Sequence, residues 1–156
     1  MRGHRKIAAA CAALGFVAGA PIASAAGLTP QDAEKVRKLD MMLMVSALRC
    51  RTTADGFQSD YRDFSKQHLL SLTAASRYLE ADLGRRYGAK GARKAMDRLS
   101  VSMANSYGVA HPTMSCADLK QARRELARSS DPADLTAAAD RLLSENSSRV
   151  ALIARP

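Results

Sequence analysis

The chain has 156 residues, a formal net charge of +9 and 47% hydrophobic residues, enough for one buried core. Aromatic residues are only 4% and tryptophan is absent, so no base-stacking platform for a nucleic acid is visible. Beyond residue 25 no apolar run approaches the roughly 20 residues of a membrane-spanning helix, so no transmembrane segment is expected in the mature chain.

The first 25 residues read as a signal peptide. Arg2, Arg5 and Lys6 form a positive start, Ile7 to Ala20 is an apolar run too short to span a bilayer, and Ala23-Ser24-Ala25 fits the small-x-small cleavage rule. Cleavage is expected between Ala25 and Ala26, by the general secretion route, since no twin-arginine pair is present. Cys11 then leaves with the leader. The remaining 131 residues carry a net charge of +6 and read as a single helical domain over 26–156, its core within about 30–145. The expected location is periplasmic or secreted.

In chain order, Thr29-Pro30-Gln31-Asp32 is a helix start, with Thr29 as cap and Pro30 at the first helical position. Val36, Leu39, Leu43, Ala47 and Cys50 recur at spacings of 3 and 4, one face of a helix. The run Met41 to Arg51 is the longest apolar stretch of the mature chain, and its near-continuous hydrophobicity predicts a central position. Gly56 is expected to close this helix in the left-handed conformation.

From Phe57 the same period resumes through Tyr61, Phe64, His68, Leu72, Ala75, Leu79 and Leu83 to Tyr87, predicting a helix of about 30 residues with a bend somewhere in 69–76. Gly88 and Gly91 bracket a tight turn before a third helix at 92–107. In both Tyr87-Gly88 and Tyr107-Gly108 the Tyr is expected to pack back over the last turn. Ser115-Cys116-Ala117-Asp118 opens a fourth helix and Asp131-Pro132 a fifth, expected to fray around Ser147-Ser148. No segment alternates like a strand. The fold class is all-α, a small bundle of four to five helices with one disulfide.

That disulfide is Cys50 to Cys116. Two cysteines in an oxidising compartment read as a pair, with free thiols or an intermolecular bridge as the alternatives. Neither has the spacing of a metal site. Met41, Met42 and Met44 could offer soft ligands to Cu(I) or an apolar surface to a partner, but core packing accounts for them, and no cofactor is expected. His68 and His111 have no catalytic partner in any recognisable motif and read as structural.

The strongest functional lead is a basic turn. Arg85, Arg86, Lys90, Arg93, Lys94 and Arg98 lie within one short window, opposed there only by Asp97. Such charge favours an anionic partner. The reading is a non-enzymatic protein that binds an anionic envelope component or another periplasmic protein. In outline, an exported all-α chain with one disulfide is similar to small periplasmic acid-stress chaperones, which implies an alternative role for the Met-rich helix. A cell-wall hydrolase is the remaining alternative.

Overall fold

The computed structural model describes residues 28–108, 111 and 113–153, with side chains as far as residue 143; the leader expected at 1–25 lies outside them. Five α-helices follow one another: α1 (Pro30–Arg49), α2 (Gln58–Gln67), α3 (Leu69–Gly108), α4 (Cys116–Leu126) and α5 (Pro132–Ile153), with a single 3-10 turn at Cys50–Thr52. No strand occurs among the described residues, and no helix there is long and apolar enough to cross a membrane.

Local chemistry sets the helix starts. The Thr29 hydroxyl accepts from the Asp32 N–H at 3.1 Å, and the Asp32 carboxylate accepts from the Thr29 N–H at 3.1 Å. Ser115 and Asp118 repeat the reciprocal pair at 3.2 and 2.9 Å. Hydrogen bonds from the capping side chains hold both carboxyls below the usual aspartate value. Asp131 caps α5 by accepting from the Ala133 N–H at 2.8 Å. That helix runs to Ile153, past the fray expected at Ser147-Ser148, because no Gly or Pro interrupts it after Pro132.

Helix α1 is the centre. It packs against each of the other four helices. Ala33, Val36, Leu39, Met42, Leu43 and Ala47 are buried along it, and Met41, Asp40 and Ser46 extend the buried surface round the helix. Around them close Phe57 and Phe64, Ala75 and Leu79, Tyr107, Leu119 and Leu126, and Leu135, Ala138 and Leu142, one cluster drawn from every helix. Fully burying each Leu or Phe contributes about 1.5–3 kcal/mol. The disulfide ties Cys50, at the end of α1, to Cys116, the first residue of α4, with Cα atoms 5.9 Å apart.

Two joints differ from expectation. The long second helix breaks at His68 (φ −100°, ψ 15°), just before the stretch where a bend was expected. The imidazole there turns to hydrogen-bond the Leu126 carbonyl on α4 at 3.2 Å, a partner 58 residues away. Gly56 does not take the left-handed conformation, since Gly88 alone has positive φ among the described residues. It is small for another reason: an added Cβ would stand 3.2–3.3 Å from the carbonyl oxygens of Cys50, Arg51 and Thr53.

Helix α3 is two arms. Gly88 (φ 65°, ψ 171°) is non-helical inside it. Ala75 and Tyr107 belong to one core, yet a straight helix would hold them roughly 48 Å apart. A single cleft is lined by both Glu80 and Met96. The chain therefore turns back at Gly88, and its two arms lie side by side. Gly91 permits the close approach: a Cβ there would sit 2.7 Å from the Tyr87 Cβ.

Candidate functional site

The reversal at Gly88 carries the basic residues out of the body. Helix α3 buries Ala75 and Leu79 on the first arm and Met103 and Tyr107 on the second, and no residue from 80 to 102 is fully buried. At 1.5 Å per residue the apex stands about 13 Å beyond Leu79. Every residue from Arg85 to Lys90 is exposed, as are Arg93, Lys94 and Arg98. The six cations predicted to cluster are therefore at, or one to three turns from, one projecting tip.

They are not electrostatically equivalent. Asp82, nearly two turns before the apex and outside the basic window, accepts from Arg85 at 2.8 Å and from Arg86 at 2.7 Å. Asp97 forms no ion pair among the described residues, and neither do Lys90, Arg93, Lys94 and Arg98. From Leu83 to Met96 the chain contains no carboxylate. The free charge is thus concentrated on the second arm. The arginines of these pairs are largely exposed while Asp82 is half-buried, so the pairs add little to stability but hold the two guanidiniums toward Asp82.

Tyr87 departs from its expected position. It was to pack back over its own helix, but it is 57% exposed, whereas Tyr107 is buried as expected. The reversal begins at the next residue, so the apolar face that Tyr87 continues has nothing beyond Leu83 to cover it. Its Cβ rests over Gly91 while more than half of the residue stays open to solvent.

The Met-rich surface is corrected. Met41 and Met42 are buried, because the other four helices all pack on α1, and cannot present an apolar face to a partner. Met44 alone is half-buried; with Ala47, Leu48, Gln58, Tyr61 and Arg62 it lines a cleft of about 420 Å³ between α1 and α2. Beside it, the buried Asp40 accepts from the Tyr61 hydroxyl at 2.9 Å and from Arg37 at 2.8 Å. Burial raises the Asp40 carboxyl above its ordinary value, opposed by those two partners, and burial pushes the Tyr61 phenol up to about 12. Tyr61 is therefore a hydrogen-bond donor that locks α2 to α1.

Both histidines are buried clips. The His111 Nδ1 accepts from the Thr113 and Met114 N–H groups at 3.3 and 3.1 Å, and its Nε2 donates to the Leu142 carbonyl at 3.3 Å, joining the approach to α4 to α5. His68 is 2% exposed and stacks on Phe64 with ring centroids 4.8 Å apart. Its Nε2 donates to the Leu126 carbonyl, and its Nδ1 has no partner among the described residues. Burial depresses the His68 pKa from the usual 6.5, against the pull of that carbonyl. The stability associated with neutral His68 is whole above about 6.5 and is lost as pH falls through the lower folded value. Urea unfolding from about pH 7.5 to about 5 should show the parent losing more stability than His68→Gln, by at most about 1.4 kcal/mol per pH unit. Parallel losses in the two proteins would mean that folding does not depress the His68 pKa.

Among the described residues no group of three or more His, Cys, Asp or Glu could hold a metal ion. No protein-family model matches the chain, and no curated protein or solved structure matches it.

Sequence reasoning missed Asp82 and the exposure of Tyr87. The Asp82 signal was available, since its spacing of three and four to Arg85 and Arg86 places all three on one helical face. The Tyr87 signal was not, because the face it occupies is decided by the direction of the second arm.

Proposed function

We propose that the protein is an exported, non-enzymatic helical module that docks on an anionic component of the cell envelope through the tip of α3. The observation that supports this reading most is that Lys90, Arg93 and Lys94 stand without ion pairs among the described residues, on a hairpin end projecting from the core. Residues 80 to 102 bury nothing completely, and like charges crowded on them repel one another. A ligand with several negative charges relieves that repulsion, and arginine suits bidentate contact with phosphate or carboxylate.

The test neutralises the unpaired cations. Reversing Arg86 would set a new carboxylate beside Asp82, so it is a poor control. Lys90→Gln, Arg93→Gln and Lys94→Gln together remove three exposed charges and break no ion pair. At about 1 kcal/mol per cation near an anionic surface, the triple variant should bind an envelope fraction roughly 100-fold more weakly than the parent, with an unchanged melting temperature. Binding by the parent should itself fall as salt rises through the physiological range, where the Debye length is about 8 Å. Equal cosedimentation of parent and triple variant would leave these residues as an ordinary solvated surface.

A further inference from the structure

We infer that the anionic component is a phospholipid surface, and that Tyr87 is the residue that enters it. This inference rests on the docking reading above and narrows it to one kind of partner. A purely electrostatic contact, such as one with a charged wall polymer, needs cations and nothing else. The α3 tip offers more than cations. Its most forward residues are Tyr87, Gly88 and Ala89, all exposed, with Arg85 and Arg86 one turn behind on the first arm and Lys90, Arg93 and Lys94 on the second. An apolar and aromatic apex ringed by basic side chains matches the layering of a bilayer edge, where phosphates lie outermost and the acyl chains begin just beneath.

Tyr87 is also prepared for that position. Its Cβ is seated over Gly91, where no larger residue could stand without displacement, so the base of the side chain is held. Its ring makes no aromatic contact and its hydroxyl no hydrogen bond among the described residues. An aromatic ring with a polar end suits the interfacial zone, where the ring leaves water and the hydroxyl stays near the headgroups. Gly88, with φ 65°, directs the second arm back, so that Arg85 and Arg86 on the first arm and Lys90, Arg93 and Lys94 on the second lie near the same end as Tyr87. The acids nearest the apex, Asp82 and Asp97, sit behind it on the two arms, Asp82 already held by Arg85 and Arg86. No carboxylate therefore stands between the tip and a negative surface.

The chain contains no tryptophan, so Tyr87→Trp places a single reporter at the apex. The full mature protein is mixed with vesicles of phosphatidylglycerol and phosphatidylcholine in equal parts, with vesicles of phosphatidylcholine alone, and with purified wall sacculi. Cosedimentation and tryptophan emission are read on the same samples. The expected result is binding to the anionic vesicles with a blue shift of emission, and neither on phosphatidylcholine alone. Tyr87→Ser should bind the anionic vesicles about tenfold more weakly while melting with the parent, since the side chain is exposed in the free protein. Binding without a blue shift, or equal binding by Tyr87→Ser, would overturn insertion and leave electrostatic docking intact. Binding to sacculi and not to vesicles would overturn the lipid assignment alone. Binding to none of the three would overturn the docking reading as well.

Discussion

Replacing Cys50 and Cys116 together by alanine should lower the stability of the protein by about 4 kcal/mol. The magnitude comes from the sequence separation of 66 residues: the bond closes a loop holding all of α2 and α3, and the unfolded chain regains that freedom when it is cut. Position adds to the effect. Cys50 is fully buried at the last turn of α1, and its carbonyl accepts from the Thr53 N–H at 3.0 Å and the Thr53 hydroxyl at 2.8 Å, which turns the chain toward α2. The double alanine variant avoids placing a serine hydroxyl in this apolar site. Its melting temperature should fall by more than about 10 °C, and added reductant should lower the parent toward the variant while leaving the variant where it is. Equal melting curves, or two titratable thiols in the native protein, would contradict the prediction.

Where a structural decision is made by neighbours in sequence, it was readable. The starts of α1, α4 and α5 are written in Thr29 and Asp32, Ser115 and Asp118, and Asp131 and Pro132, and each cap forms as its spacing implies. The central placement of α1 was equally plain, because Met41 to Ala47 leaves no polar face broad enough for water. The same logic should have removed Met41 and Met42 from consideration as a partner surface, since a nearly continuous apolar run predicts a helix packed on most of its faces. The cysteine pair was legible for a different reason, there being only one way to join two thiols within a chain.

What was not readable depends on partners far along the chain. His68 fits the apolar period of a continuous helix, and nothing near it announces that its ring will reach Leu126 and that the helix will break there. Tyr87 also fits that period, and is exposed only because Gly88 sends the chain back at the next position. The site itself divides along this line. Its cations could be counted from the sequence, but their sorting into a paired set on the first arm and an unpaired set on the second, about a projecting tyrosine, required the geometry of the hairpin. The tip and the core are consequently separable. The arms are anchored through Ala75 and Leu79 on the first and Met96, Leu99, Met103 and Tyr107 on the second, so that Arg98 stands beside the anchor and Arg85 to Lys94 lie beyond it.

Phe64→Ala tests that separation from the side of the core. Helix α2 has ten residues, too few to persist alone in water, and no side chain caps its start. It is held by what it buries. Phe57 and Phe64 are fully enclosed, and Phe64 lies between Tyr61 and His68, with ring centroids 6.2 and 4.8 Å away. Truncating Phe64 leaves a cavity beneath both the Tyr61–Asp40 hydrogen bond and the His68–Leu126 hydrogen bond, so the locks of α2 onto α1 and onto α4 loosen together. The expected loss is about 3–5 kcal/mol by chemical denaturation, with faster amide exchange in α2 than in α1. Phe64→Leu retains most of the volume and should cost less than about 1.5 kcal/mol. A loss below about 1 kcal/mol for Phe64→Ala would mean that α2 is held by something other than this ring. At a temperature where the alanine variant is still folded, its binding to anionic vesicles should equal the parent's, because Phe64 belongs to the buried core on α2 and the charged tip belongs to the exposed reversal of α3. Weakened binding there would show that the orientation of α3, set through His68, is itself part of the docking surface.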